Sequence, residues 1–147
     1  MKIKKLNPEA KMPTLGTDGA AAYDLYACIE EPVMIDPGRS AMINTGLAMQ
    51  IPFGTVGLLF PRSGLACKRG LRLSNCVGVI DSDYRGPVCA SIYNDSDELQ
   101  VIYPEDRVAQ IMFVKYDLYD LEETDELDDT NRGVGGFGST GTNERRL

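Results

Sequence analysis

Asn75-Cys-Val-Gly-Val-Ile-Asp81-Ser-Asp83-Tyr84-Arg85-Gly86, followed at once by Pro87-Val-Cys-Ala-Ser-Ile-Tyr93, reads as an apolar-alternating strand, a tight polar turn and a second strand. The spacing predicts a β-hairpin. Its backbone offers amides and carbonyls, Gly78 lets another group come close, and the tip carries two carboxylates and an aromatic ring. That combination suits a flat heterocycle with a sugar beside it. Taken alone, the same residues also describe a solvated surface turn, so the rest of the chain has to decide.

Working outward, short apolar and β-branched runs recur about every ten residues. They predict strands over Lys2 to Leu6, Ala20 to Cys28, Val33 to Ile35, Ala41 to Ile51, Val56 to Phe60, Leu71 to Ile80, Val88 to Tyr93, Leu99 to Tyr103 and Val108 to Tyr116. Asp36-Pro-Gly38, Pro52-Phe-Gly54, Asn94-Asp-Ser-Asp97 and Pro104-Glu-Asp106 supply turn chemistry between them. Many short strands with little helical periodicity imply a closed or sandwiched all-β domain. One helix is expected, with Ser63 as N-cap, Gly64 to Arg69 as its body and Gly70 as a left-handed stop. Its first amides lack backbone partners and suit a phosphate, although a plain connecting turn fits the residues equally well.

A chain of 147 residues is one domain with a single core. No segment has the length and apolarity of a membrane span, and the start reads as a first strand rather than a signal peptide. Cys28, Cys67, Cys76 and Cys89 form no CxxC pair, which predicts reduced, mostly buried thiols and a cytoplasmic location. The chain has no histidine, so Ser-His and Cys-His pairs and His-ligated zinc are excluded, and Asp or Glu is the expected general base. A net charge of −7 argues against nucleic-acid binding. A small phosphate ester remains compatible where Arg62, Arg107, Arg132 or a divalent metal reverses the field locally.

Residues 1–116 therefore read as the β domain. Residues 117–131 are an acidic connector, able to reach roughly 50 Å when extended. Residues 132–147 form a glycine-rich tail. Such a tail is either a disordered terminus or a lid, in which glycines fold over phosphates, Arg132 pairs with a terminal phosphate and Phe137 covers a base.

Five segments, taken together and in order, resemble the trimeric dUTP diphosphatases. They are Ala21-Ala-Tyr-Asp24-Leu, Pro61-Arg62-Ser63-Gly64-Leu-Ala66, the 75–86 stretch, Arg107-Val-Ala-Gln110 and Arg132-Gly-Val-Gly-Gly-Phe137-Gly-Ser139-Thr140-Gly141. The resemblance implies an all-β, jelly-roll-like barrel with one short helix, assembled as a homotrimer with C-terminal arm exchange. It implies hydrolysis of dUTP to dUMP and pyrophosphate with Mg2+, supplying dUMP for dTMP synthesis and keeping uracil out of DNA.

Carried over, uracil lies against main chain at Val79, Ile80 and Cys89, with Asn75 assisting. Tyr84 lies against the deoxyribose, refusing a 2'-hydroxyl, and Asp81 activates water, with Asp83 structural. Arg62, Ser63, Gly64 and Gln110 hold the phosphate chain, Arg132, Phe137, Gly138, Ser139 and Thr140 close over it, and Asp24 holds Mg2+ through water. Arg107 is expected to pair with a neighbouring subunit. The family has glycine where this chain has Ala22, which adds a methyl on the metal side. Two alternatives are a dCTP deaminase of the same fold and a non-catalytic nucleotide- or protein-binding trimer. The first would need a glutamate that Val88 to Tyr93 lacks.

Overall fold

The computed structural model describes residues 1–136. In chain order its strands begin with β1 (Lys2–Lys5), β2 (Thr14–Leu15), β3 (Tyr23–Tyr26), β4 (Val33–Ile35), β5 (Ser40–Asn44), β6 (Leu47–Gln50) and β7 (Thr55–Phe60). Helix α1 (Ser63–Arg69) follows, then β8 (Leu71–Leu73), β9 (Gly78–Ile80), β10 (Cys89–Asn94), β11 (Gln100–Ile102) and β12 (Arg107–Lys115). The strands pair in the orders β2-β3-β12-β7-β9 and β5-β10-β8, with two-stranded ribbons β1-β6 and β4-β11. All of these pairs are antiparallel. The all-β expectation with one short helix holds. Residues 116–136 contain neither helix nor strand.

The core lies between the sheets, where period-two alternation turns one side of each strand inward. Along β10, Ala90, Ile92 and Asn94 are buried, while Cys89, Ser91 and Tyr93 face outward. Ala90 and Ile92 share the core with Leu25, Ile43, Leu47, Leu59, Leu73 and Ile111, all at most 2% exposed.

Three expectations change in the structure. The run from Ala41 to Ile51 is broken where Gly46 takes a φ of +69° and a Cβ would strike Cys28, so β5 and β6 join different sheets. The run from Leu71 to Ile80 is likewise split. Asn75-Cys76-Val77 turn the chain, with Cys76 itself at a φ of +61°, so β8 pairs with β10 while β9 pairs with β7. The predicted hairpin is consequently not a ladder, because its two strands belong to different sheets. Finally, Ser63 is not the N-cap of α1. Arg62 occupies that position in an extended conformation with no side-chain cap, and Ser63 is the first helical residue. Gly70 does end the helix at a φ of +64°, beside Lys68 and Arg69, whose charge suits that end of the dipole.

Candidate active site

The split between β8 and β9 opens the first half of the site. β9 is the end strand of its sheet, so the edge turned away from β7 carries no strand. Along β10, β8 covers only Ile92 to Asn94, leaving Cys89 to Ser91 free on that side apart from Ser74, whose amide and hydroxyl both donate to Ser91 O. Two uncovered backbone edges thus flank a cavity of about 150 Å³ lined by Asn75, Gly78, Val79, Ile80, Cys89 and Ser91. Such edges present alternating donors and acceptors, as a base-pairing edge does.

A second cavity of about 240 Å³ shares Met42, Val79, Ile80 and Cys89 with the first and adds Asp81, Tyr84 and Pro87. The two form one slot, with Asn75 at one end and Asp81 and Tyr84 at the other. Burial pushes the Cys89 thiol above its ordinary pKa, so it stands in this slot as a neutral group. Gly78 contributes differently from expectation. A Cβ there would lie 3.1 Å from Leu59 Cβ, so the missing side chain makes room chiefly for β7.

The two turn carboxylates, which spacing alone leaves equivalent, point apart. Asp81 lines the slot, whereas Asp83 lines a different cavity with Met1, Lys2, Phe53, Ser82 and Arg85. The Tyr84 hydroxyl donates to Pro87 O at 3.1 Å.

The second half lies on the five-stranded sheet and the start of α1, where Ala22, Asp24, Arg62, Ser63 and Gln110 line a cavity of about 200 Å³. Gly64, exposed on the first turn of α1, stands beside Ser63. Asp24 and Gln110 are cross-strand partners between β3 and β12, and Gln110 Nε2 donates to Pro61 O at 2.9 Å. Asp24 is only 7% exposed. Its Oδ1 accepts from Arg62 Nε at 2.7 Å and its Oδ2 from Arg107 Nη1 at 3.1 Å.

Arg107 is therefore paired with Asp24 within its own chain, through Nη1 alone, and its side chain stays half-exposed. A register shift in β12 between Arg107 and Ala109 turns both Val108 and Ala109 inward and leaves Arg107 beside Asp24. Ala22 keeps an ordinary φ, so its methyl is carried without strain.

With both oxygens engaged, Asp24 does not fit as a direct metal ligand. No cluster of three or more acidic, His or Cys side chains forms a metal cage among the described residues. A carboxylate receiving two guanidinium groups still has lone pairs for ordered water, which fits a hydrated Mg2+ held at one remove.

The slot and the cavity at the start of α1 have no lining residue in common. Arg132 is exposed, and its Nε donates to Gly135 O at 2.8 Å. Phe137, Gly138, Ser139 and Thr140 lie outside the described residues. Met42 and Pro87 also line the slot, and sequence reasoning assigned neither a role there. Met42 is an outward residue of an alternating strand, 66% exposed, and nothing local marks it. All four cysteines are free as expected, but Cys67 and Cys76 are exposed rather than buried, since one sits on the outer face of a short helix and the other in a turn.

The dUTPase family profile matches residues 8–141. A deoxyuridine 5'-triphosphate nucleotidohydrolase from Hahella chejuensis is 45% identical over 140 residues, covering 95% of this chain and 92% of the relative. Among solved structures, a mutant dUTPase of Staphylococcus bacteriophage 80alpha with dUpNHpp superposes with a TM-score of 0.85 at 30% identity, covering 95% of this chain and 97% of that one. A mutant dUTPase from phage phi11 of S. aureus, described with a structural Mg(II) ion, gives 0.75 at 28% identity, covering 85% and 96%.

Proposed function

The chain belongs to the dUTPase family and hydrolyses dUTP to dUMP, and on that premise we propose how its residues divide the work. Uracil enters the slot between β9 and the uncovered part of β10, hydrogen-bonded by main chain at Val79, Ile80 and Cys89 and by the Asn75 amide. The observation that carries this is the pair of unpartnered backbone edges with a carboxylate at one end. Tyr84 lies along the deoxyribose. Asp81 accepts a proton from a water as its oxygen attacks the α-phosphorus, and the bond to the bridging oxygen breaks so that pyrophosphate leaves. Bound Mg2+ would neutralise charge on the phosphate chain, held through water by Asp24.

Arg62, the Ser63 and Gly64 amides and Gln110 grip the triphosphate. Two guanidinium groups around one carboxylate leave a local positive surplus in an acidic protein. Arg132, Phe137, Gly138, Ser139 and Thr140 close over the bound nucleotide as a lid.

The base slot and the phosphate grip share no residue, which favours a homotrimer that joins the slot of one copy to the grip of another, with the tail of a third. Exchange of the arm is supported by β1, an edge strand beside cavities lined by Lys2, Lys4, Leu6, Met49 and Arg85. The acidic connector of a neighbour complements that basic, partly apolar groove. Residues 1–116 then form the nucleotide-binding body, 117–131 the connector and 132–147 the lid. No helix among the described residues is long and apolar enough to cross a membrane, and the four free thiols favour the cytoplasm.

Asp81→Asn tests the assignment. It should retain assembly and nucleotide binding while turnover falls at least ~100-fold, from the loss of a general base. Following pyrophosphate with dUTP, dCTP and UTP as substrates checks the base and sugar assignments. Full activity in the variant sinks the role given to Asp81.

A further inference from the structure

Gly86 ends the turn that carries Asp81 and Tyr84, and nothing in its backbone calls for glycine. The positive φ values of the described glycines are at Gly38, Gly46, Gly54, Gly70 and Gly133, not here. What excludes a side chain is the Tyr84 ring, which folds back across it. A Cβ at Gly86 would stand 2.6 Å from Tyr84 Cζ and 2.9 Å from Cε2, distances at which one group has to move. The ring is held in that seat by its hydroxyl bond to Pro87 O, and the turn below it is clasped by Arg85 Nη1, which donates to Ser82 O at 2.7 Å and Tyr84 O at 2.8 Å. The Tyr84 amide also donates to Asp81 O at 3.2 Å. The position of the ring is thus tied to the backbone of the residue assigned to activate water.

We propose that Gly86 is a specificity-determining positioning residue: its missing side chain seats the Tyr84 ring where it excludes a 2'-hydroxyl. The inference rests on the reading that Tyr84 faces the sugar. A methyl at position 86 lifts the ring, breaks the bond to Pro87 O and opens space where a ribose hydroxyl fits. Discrimination between deoxyribose and ribose therefore depends on a residue that does not itself line the slot.

The test compares kcat/KM for dUTP and UTP in four variants, with a thermal melt of each. In Gly86→Ala the dUTP-to-UTP ratio should fall ~10-fold or more, the scale of a steric rejection. Tyr84→Phe keeps the ring but loses the hydroxyl bond to Pro87 O, so its ratio should fall less than that of Gly86→Ala; a larger fall would place the selectivity in the hydroxyl and overturn the role of Gly86. Tyr84→Ala probes the underlying reading, and an undiminished ratio there removes the sugar gate itself. If Tyr84→Ala relaxes the ratio but a folded Gly86→Ala does not, the gate stands and the role of Gly86 is overturned. The double variant Tyr84→Ala with Gly86→Ala should match Tyr84→Ala in melting temperature and ratio, because no ring remains for the methyl to strike. Any further loss in the double variant refutes the inference, including the case in which Gly86→Ala alone does not fold.

Discussion

Asp24 satisfies two arginines with two oxygens, and that ratio sets the local charge of the proposed phosphate grip. Two guanidinium groups against one carboxylate leave one positive charge, and losing Arg107 would leave none. Arg107→Met should therefore raise KM for dUTP about 5-fold, roughly 1 kcal/mol, with kcat little changed. Arg107→Lys, which restores the charge, should recover most of it. Steady-state kinetics at low salt are the measurement, and an unmoved KM would dismiss the charge surplus as a factor.

Cys89 gives a pH-dependent prediction. Its folded pKa is raised by burial, so the fold disfavours the thiolate; stability is full below the ordinary thiol pKa and declines as pH rises through the raised one. Replacing Cys89 with Ala should blunt that alkaline loss in melts between about pH 8 and 10. Iodoacetamide should label Cys89 slowly near pH 7, more slowly still with dUMP bound.

The residue types alone removed histidine-based pairs and pointed to carboxylates as the expected bases. The pairing of Arg107 was not legible, because it depends on a one-residue irregularity in β12 that no local pattern announces. The separation of Asp81 from Asp83 was equally hidden, for both sit on one polar turn and only the sheets beside them tell them apart.

Elements carry the same lesson at larger spacing. Alternation located most strands to within a residue or two, yet two apolar runs each contain a turn that divides them between sheets. Hydrophobic pattern cannot show such a division, because both halves face the same core. Gly46 and Cys76, with left-handed backbone, are the residues that make the turns. The second division matters more, since it parts β8 from β9 and leaves the backbone edges that line the slot. Helix α1 is held by Leu65 in the core and by Arg69, which donates to Gln100 Oε1 at 3.0 Å and to Val101 O. Its stop at Gly70 combines a left-handed φ with a Cβ position 2.9 Å from Ser96. Gly70→Ala should cost about 1–2 kcal/mol from the backbone alone, and more if the Ser96 loop cannot yield. A urea titration reads the loss directly, and a change within about 0.5 kcal/mol would mean that the turn relaxes freely.

At the scale of the whole molecule, the regular fold ends at Lys115 while substantial apolar surface lies beyond it. Leu118, Tyr119, Leu121 and Leu127 are 69% to 96% exposed. Burying such side chains contributes on the order of 2 kcal/mol each, whereas fixing the connector costs about 1–2 kcal/mol for every residue ordered. Apolar contact alone does not offset that cost. Docking also has to add backbone hydrogen bonds, for which the free edge of β1 is available, and charge pairing, for which Lys2, Lys4 and Arg85 are placed. The two parts of the C-terminal region should then separate experimentally. Ending the chain after Asn131 keeps the connector and removes Arg132 and the glycine-rich tail, so the proposed homotrimer should survive while kcat/KM for dUTP falls ~100-fold or more, the scale of losing donors to developing phosphate charge. Ending it after Lys115 removes the connector too, and the oligomer itself should loosen, the more so as salt is lowered and the remaining basic grooves repel one another. Light scattering alongside pyrophosphate release follows both quantities in the same samples. Unchanged kinetics after the shorter deletion would deny the tail its place over the phosphates, and an unchanged oligomer after the longer one would place the subunit contacts wholly within the β body.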